Sequence, residues 1–146
     1  MLMIIERVVI LKSVDIFATI AEDHLVELAR MAKELEFRAG DPIMRRGESG
    51  TSMYIIISGR VRIHAGDRAI AELGGREVIG ELAALDPEVR SADVTALEDT
   101  RAFCIESGSL YELMGEHVDV NREIIRVLCR RLRRHTAASF NANQPV

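Results

Sequence analysis

A chain of 146 residues holds one ordinary domain with a sizeable core, and not comfortably two. A formal charge of −4 argues against a life on phosphate backbones, and the lack of Trp with only 4% aromatics argues against base-stacking platforms for single strands. Apolar residues at 48% and charged residues at 29% are ordinary for a soluble globular protein. No apolar run approaches the ~20 residues of a membrane span. A basic leader with a small-residue cleavage site is missing, so the expected location is the cytoplasm.

Taken in order, residues 2–12 carry Ile4, Ile5, Val8 and Leu11 at helical spacing and predict a short amphipathic helix. Residues 13–19 connect it to a second helix over 22–31, with Ile16 and Phe17 tucked against the core. Ala21 stands where Ser or Thr would cap that second helix better. After Lys33 the pattern changes to short strands punctuated by glycine: Leu35 and Phe37, then Ile43 and Met44, with turns at Gly40 and over 47–50. Residues 53–57 are apolar on both faces and predict a central strand, while 60–64 alternate with period two. Strands over 69–73, 91–96 and 101–105 follow. Their length and spacing indicate a β-sandwich or barrel. Helical period returns over 109–117 with Leu110, Leu113 and Met114. Asp119 or Asn121 then caps a longer helix whose apolar face is Ile124, Ile125, Val127, Leu128 and Leu132. Residues 137–146 are polar and expected to be a flexible tail.

The chemistry concentrates between Gly80 and Thr95. Gly80 lets the backbone approach a ligand, the short helix it opens offers N–H groups to an anion, and Pro87 ends that helix. Arg90 adds a planar fork of donors suited to phosphate. Glu81 is out of place in an anion site unless it accepts the hydrogen of a ribose hydroxyl, as the acidic residue of dinucleotide folds does. Together these groups fit a nucleotide with one compact phosphate.

The run Ile79-Gly80-Glu81-Leu82-Ala83-Ala84-Leu85, followed by Val89-Arg90-Ser91-Ala92-Asp93, resembles the phosphate-binding cassette of the cyclic nucleotide-binding domain family. That family includes the catabolite activators and the regulatory subunits of protein kinase A. The turn glycines Gly40, Gly47, Gly50 and Gly59 extend the resemblance over most of residues 13–134. It implies a mainly β fold, an eight-stranded antiparallel jelly-roll barrel with N-terminal helices over 1–32, a barrel over 33–106 and a C-terminal helical lid over 107–136. It further implies that Glu81 holds the ribose 2′-hydroxyl and Arg90 the cyclic phosphate, with the amides near Leu82 and Ala83 and the Ser91 hydroxyl completing the shell. The chain departs from the pattern at Ile79, Ala84, Val89 and Asp93, and Arg76 stands where the family usually has a glycine. An Asp93 carboxylate turned inward would repel the phosphate. Ser after the cassette arginine is also found in catabolite activators, which favour cAMP, and it does not exclude cGMP.

Other constellations read more plainly. His24, His64, His117 and His135 are scattered over different predicted elements, with only His64 in the barrel region on a solvent face, so no metal site is expected. Cys104 and Cys129 lack metal spacing and read as reduced core cysteines. Residues 47–51 lack the Lys of a P-loop, and no nucleophile–base set is placed for catalysis, so no enzyme is expected. Arg122, Arg126, Arg130, Arg131, Arg133 and Arg134 face Glu123 alone on the last helix, a solvated face or a contact surface for an acidic partner. Arg126, Arg130 or Arg134 are candidates to stack on a purine. The stretch after Arg134 is too short for a helix-turn-helix, so no DNA is expected. The resulting expectation is a regulatory module binding cAMP, with cGMP possible, and possibly a homodimer. Its competitor is a degenerate cassette, with Glu81 and Arg90 paired to each other, in a structural or protein-interaction module.

Overall fold

The computed structural model describes residues 2–143, with side chains through 140. Two helices open the chain, α1 (Ile4–Lys12) and α2 (Glu22–Met31), joined by a short 3-10 turn over Asp15–Phe17. Ile16 and Phe17 in that turn are fully buried. The Arg7 guanidinium donates to the carbonyls of Ala29 and Ala32 at 3.0 and 3.2 Å, satisfying the C-terminal end of α2 and setting the rotation of α1. Ile10 is therefore inside and Ile5 is 76% exposed, whereas the periodic reading had placed Ile5 on the buried face. Ala21 precedes α2 without any side-chain cap.

Ten strands follow among the described residues: β1 (Lys33–Phe37), β2 (Pro42–Met44), β3 (Ser49–Gly50), β4 (Ser52–Ser58), β5 (Val61–Ala65), β6 (Arg68–Leu73), β7 (Val78–Ile79), β8 (Glu88–Val89), β9 (Asp93–Ala96) and β10 (Thr100–Glu106). They form one sheet in the order β1-β10-β4-β7, a second in the order β2-β9-β5-β6, and a ribbon of β3 with β8. All pairings are antiparallel. This is the jelly-roll arrangement the resemblance implies, with two corrections. There are ten short strands in place of eight, and the two larger sheets are not joined into a closed barrel.

β4 is apolar on both faces because it separates two cores. Met53 and Ile55 pack with Phe103, Ile105 and the helices, while Ile56 packs with Met44, Val61, Ile79 and Val94 between the sheets. β10 leads through α4 (Ser107–Glu116) into α5 (Val118–Asn143). α5 docks through Val120, Ile124 and Val127, all buried. The helix runs to Asn143, into the stretch expected to be a flexible tail, and 144–146 of that expectation lie outside the described residues. Among the described residues no helix is long and apolar enough to cross a membrane.

Candidate functional site

β7 ends at Gly80, whose φ of 72° lies in the left-handed region that favours glycine. The short helix α3 (Glu81–Leu85) starts there, and β8 then brings the chain back against β3. The Arg90 backbone is pinned to the turn before β3: its N–H donates to the Glu48 carbonyl at 2.8 Å, and its carbonyl accepts from Gly47 at 3.0 Å. The side chain passes between two glycines. A Cβ at Gly50 would lie 2.6 Å from Arg90 Nε, and one at Gly80 would lie 2.5 Å from Arg90 Nη1. Both positions must therefore be bare for the guanidinium to sit where it does.

Arg90 Nη2 donates to the Ser52 carbonyl at 2.7 Å and more weakly to Ser52 Oγ at 3.4 Å. Among the described residues no carboxylate oxygen lies within 4.0 Å of it. Burial pulls the guanidinium below its usual range. Beside it opens a cavity of about 240 Å³ walled by Met44, Ile63, Ile79 and Val94, with Ala83, Ala92 and the exposed Ser91 at its margin. Among the described residues, the structure thus sets a half-buried cation with no carboxylate oxygen within 4.0 Å at the edge of a mainly apolar pocket that Glu88 also lines.

Glu81 does not pair with Arg90. Its Oε1 accepts from Nη1 of Arg131 on α5, and the same guanidinium donates from Nε and Nη2 to Asp15 Oδ2 at 3.1 and 3.0 Å. Glu81 and, after it, Asp15 hold Arg131 above its ordinary range against the opposing effect of burial. One arginine so ties the cassette, the N-terminal turn and the last helix together. Sequence reasoning put Arg126, Arg130 and Arg134 forward for the lid. Those three are exposed, and Arg126 bonds Glu123 at 3.0 Å. The signal for Arg131 was its spacing: it follows Ile124 and Val127 on the buried face at i+7 and i+4.

The remaining cassette residues are placed as follows. The Ala83 amide donates to the Gly80 carbonyl at 3.1 Å, closing the first turn of α3, and the Leu82 side chain is exposed. Asp93 turns away from the cavity. Its carboxylate accepts from the Arg46 amide at 2.9 Å and the Gly66 amide at 3.3 Å, and these bonds, Arg46 first, hold it below the usual carboxylate range. The repulsion expected of an inward Asp93 therefore does not arise. His64, expected on a solvent face, is half-buried and bonded to the Gly66 carbonyl and to Thr95 Oγ1, both at 2.7 Å. Cys104 is buried, its thiol pushed up by desolvation, and Cys129 is half-buried; both are free.

Comparison with known proteins agrees with the geometry. The family described as the cyclic nucleotide-binding domain matches residues 34–117. The chain is similar to the CRP-like cAMP-activated global transcriptional regulator of Mycobacterium tuberculosis, 30% identical over an alignment of 132 residues that covers 86% of this chain and 58% of that protein. It is 35% identical over 99 residues to the cyclic AMP receptor protein of Thermus thermophilus, covering 64% of this chain and 46% of the relative. The chain thus spans about half the length of these curated relatives. A solved structure, the N-terminal domain of a transcriptional regulator from Streptomyces coelicolor, superposes with a TM-score of 0.82 at 27% identity, covering 89% of this chain and 94% of that one. The chain belongs to the cyclic nucleotide-binding domain family.

Proposed function

We propose, from this family membership and the geometry of Arg90, that the domain is a non-enzymatic cytoplasmic sensor of a 3′,5′-cyclic nucleotide, cAMP in preference to cGMP. The observation that carries the reading is the lone cation. A half-buried guanidinium with only a carbonyl and a hydroxyl for partners lacks the counter-charge that desolvated ions normally find. The single negative charge of a cyclic phosphate supplies it, and Ser91 adds a hydroxyl at the cavity margin.

Glu81 offers its second carboxylate oxygen to the ribose 2′-hydroxyl while Arg131 holds the first. Arg131 in this reading positions Glu81 and links ribose recognition to α5. The cavity of about 240 Å³ is smaller than the roughly 300–1,000 Å³ of ordinary small-molecule sites. In this reading it takes the phosphate, the ribose extends toward Glu81 beyond the residues that line it, and the base is left to the lid. Ligand binding then favours one placement of α5 over another, and that difference is the signal. The two relatives described above are named for cAMP, which supports that nucleotide as the ligand.

The test is isothermal titration of cAMP and cGMP into the wild type and a folded Arg90→Ala variant. Saturable wild-type binding that disappears in the variant is the expected result. Failure of both nucleotides to bind the folded wild type overturns it. One observation favours a second reading: Glu81 is already engaged by Arg131, as it would be in a module kept for its structure or its arginine-rich surface. That same failure to bind is the result this second reading expects.

A further inference from the structure

The fold gathers two of the four scattered histidines into one cluster, away from the cassette. His24 in the first turn of α2 and His117 at the junction of α4 and α5 stack with ring centroids 3.9 Å apart. His24 Nε2 lies 2.9 Å from Oδ2 of Asp119 in the first turn of α5. His117 Nε2 lies 3.2 Å from both carboxylate oxygens of Glu27, one turn along α2 from His24. Ligand atoms of His24, His117 and Asp119 all fall within 4.8 Å of one another. Among the described residues, the buried His24 Nδ1 has no hydrogen-bond partner, and the Asp23 carboxylate stands 4.0 Å from it.

We infer that His24, His117 and Asp119 form a binding site for a divalent transition ion of the zinc, nickel and cobalt class, with Glu27 holding His117 from outside. Two imidazoles and a carboxylate suit these ions and do not suit calcium or magnesium, which prefer oxygen. Bonds of ~2.0–2.1 Å to such an ion place tetrahedral ligand atoms roughly 3.3 Å apart. Donors that already lie within 4.8 Å close the remainder by reorienting the two rings, whose planes are now tilted by 33°. Glu27 stands to His117 as an outer-shell carboxylate stands to a ligating histidine, orienting the ring. Asp119 is on α5 and His24 on α2, so a bound ion would clamp the root of α5 to α2. This inference does not depend on the nucleotide reading.

The experiment is titration of Zn²⁺ into the untagged, chelator-treated chain, followed calorimetrically, with Co²⁺ absorption reporting coordination number. One ion per chain is expected, with the intense visible bands of a tetrahedral cobalt site. His117→Gln and Asp119→Asn are each expected to weaken binding by at least about tenfold. Because the Asp119 side chain is 63% exposed, its variant keeps the fold even if replacement of the buried His24 does not. His64→Gln and His135→Gln are expected to bind as the wild type does. Absence of saturable binding overturns the site. So does an affinity unmoved by His117→Gln and Asp119→Asn, or one lost only in His64→Gln or His135→Gln.

Discussion

The guanidinium of Arg131 bonds the carboxylate of Glu81 across fifty positions of sequence, and it leaves one oxygen of that carboxylate uncommitted to the pair. If this pairing sets the ribose reader, Arg131→Ala weakens cAMP binding about three- to tenfold, roughly 0.7–1.4 kcal/mol. It also narrows the gap between cAMP and its 2′-deoxy analogue. A double cycle with Glu81→Gln is expected to be clearly non-additive. Additive losses would mean that Arg131 acts on the ligand independently of Glu81.

Arg90→Ala removes the cation from the cavity edge at the cost of two hydrogen bonds to Ser52. Truncating one partner of a buried, hydrogen-bonded charge pair costs about 2–5 kcal/mol, a loss of roughly thirty-fold or more in affinity. Thermal unfolding should change little, since removing a partly desolvated cation with no counter-charge offsets the two lost hydrogen bonds. Near-wild-type affinity in the folded variant refutes the assignment of Arg90 to the phosphate.

The two glycines flanking Arg90 separate backbone strain from side-chain displacement. Gly80→Ala puts a non-glycine residue in the left-handed region, at about 1–2 kcal/mol, and its methyl meets the Ser52 carbonyl at 3.0 Å as well as Arg90. Stability and affinity should both fall. Gly50 has no such φ, and the three atoms nearest its added methyl all belong to the Arg90 side chain. Gly50→Ala should therefore leave the unfolding midpoint close to wild type while nucleotide affinity drops. Equal effects of the two variants on stability would count against this distinction.

Arg76 is the one non-glycine residue with positive φ, 72°, among the described residues. Its amide donates to the Ile56 carbonyl at 2.7 Å, which holds the strained turn in place ahead of β7. Arg76→Gly should relieve about 1 kcal/mol, offset in part by the greater freedom of glycine in the unfolded chain. A small gain in urea midpoint with unchanged nucleotide affinity is the expected outcome, and a loss of stability would show that the Arg76 side chain contributes more than its backbone costs.

Base choice is the finest of these questions. Ser91 is exposed among the residues that line the cavity, and the proposed reading assigns its hydroxyl to the bound nucleotide. The expected preference is cAMP over cGMP by no more than about tenfold, ~1.4 kcal/mol, with Ser91→Thr moving it toward cGMP. Competition titrations decide it: a wild type that prefers cGMP, or a variant shifted toward cAMP, removes Ser91 from this role.

Much of the site was legible because it is local in sequence. The cassette from Ile79 to Asp93 brings Gly80, Glu81 and Arg90 into one short segment, and α2 matches its periodic pattern over Glu22–Met31. What escaped is long-range or carried by backbone. The acceptor for Arg90 is the Ser52 carbonyl, which no side-chain identity announces. The clearance for Arg90 comes from Gly50, which pattern reading assigned to a turn. β3, β7 and β8 are two residues each, too short for any periodicity to register; with the seven strands that the pattern does locate they make up the ten. His24 and Asp119 are 95 positions apart, so their meeting depends on how the first and last helices dock.

α5 has 26 residues, about 39 Å of helix at 1.5 Å per residue, yet its buried anchors Val120, Ile124 and Val127 all lie near its base. From 132 to 140 every side chain is exposed. If the proposed signal is a movement of α5, the helix would act as a lever with its fulcrum toward His117, and Arg131 grips it near mid-length. A swing of about 10° moves Arg131 by only ~3 Å, a distance its side chain can follow, but carries the far end by roughly 7 Å. Whatever reads this domain gains twice the travel by engaging the distal turns, and the cassette needs only a modest rearrangement to deliver it.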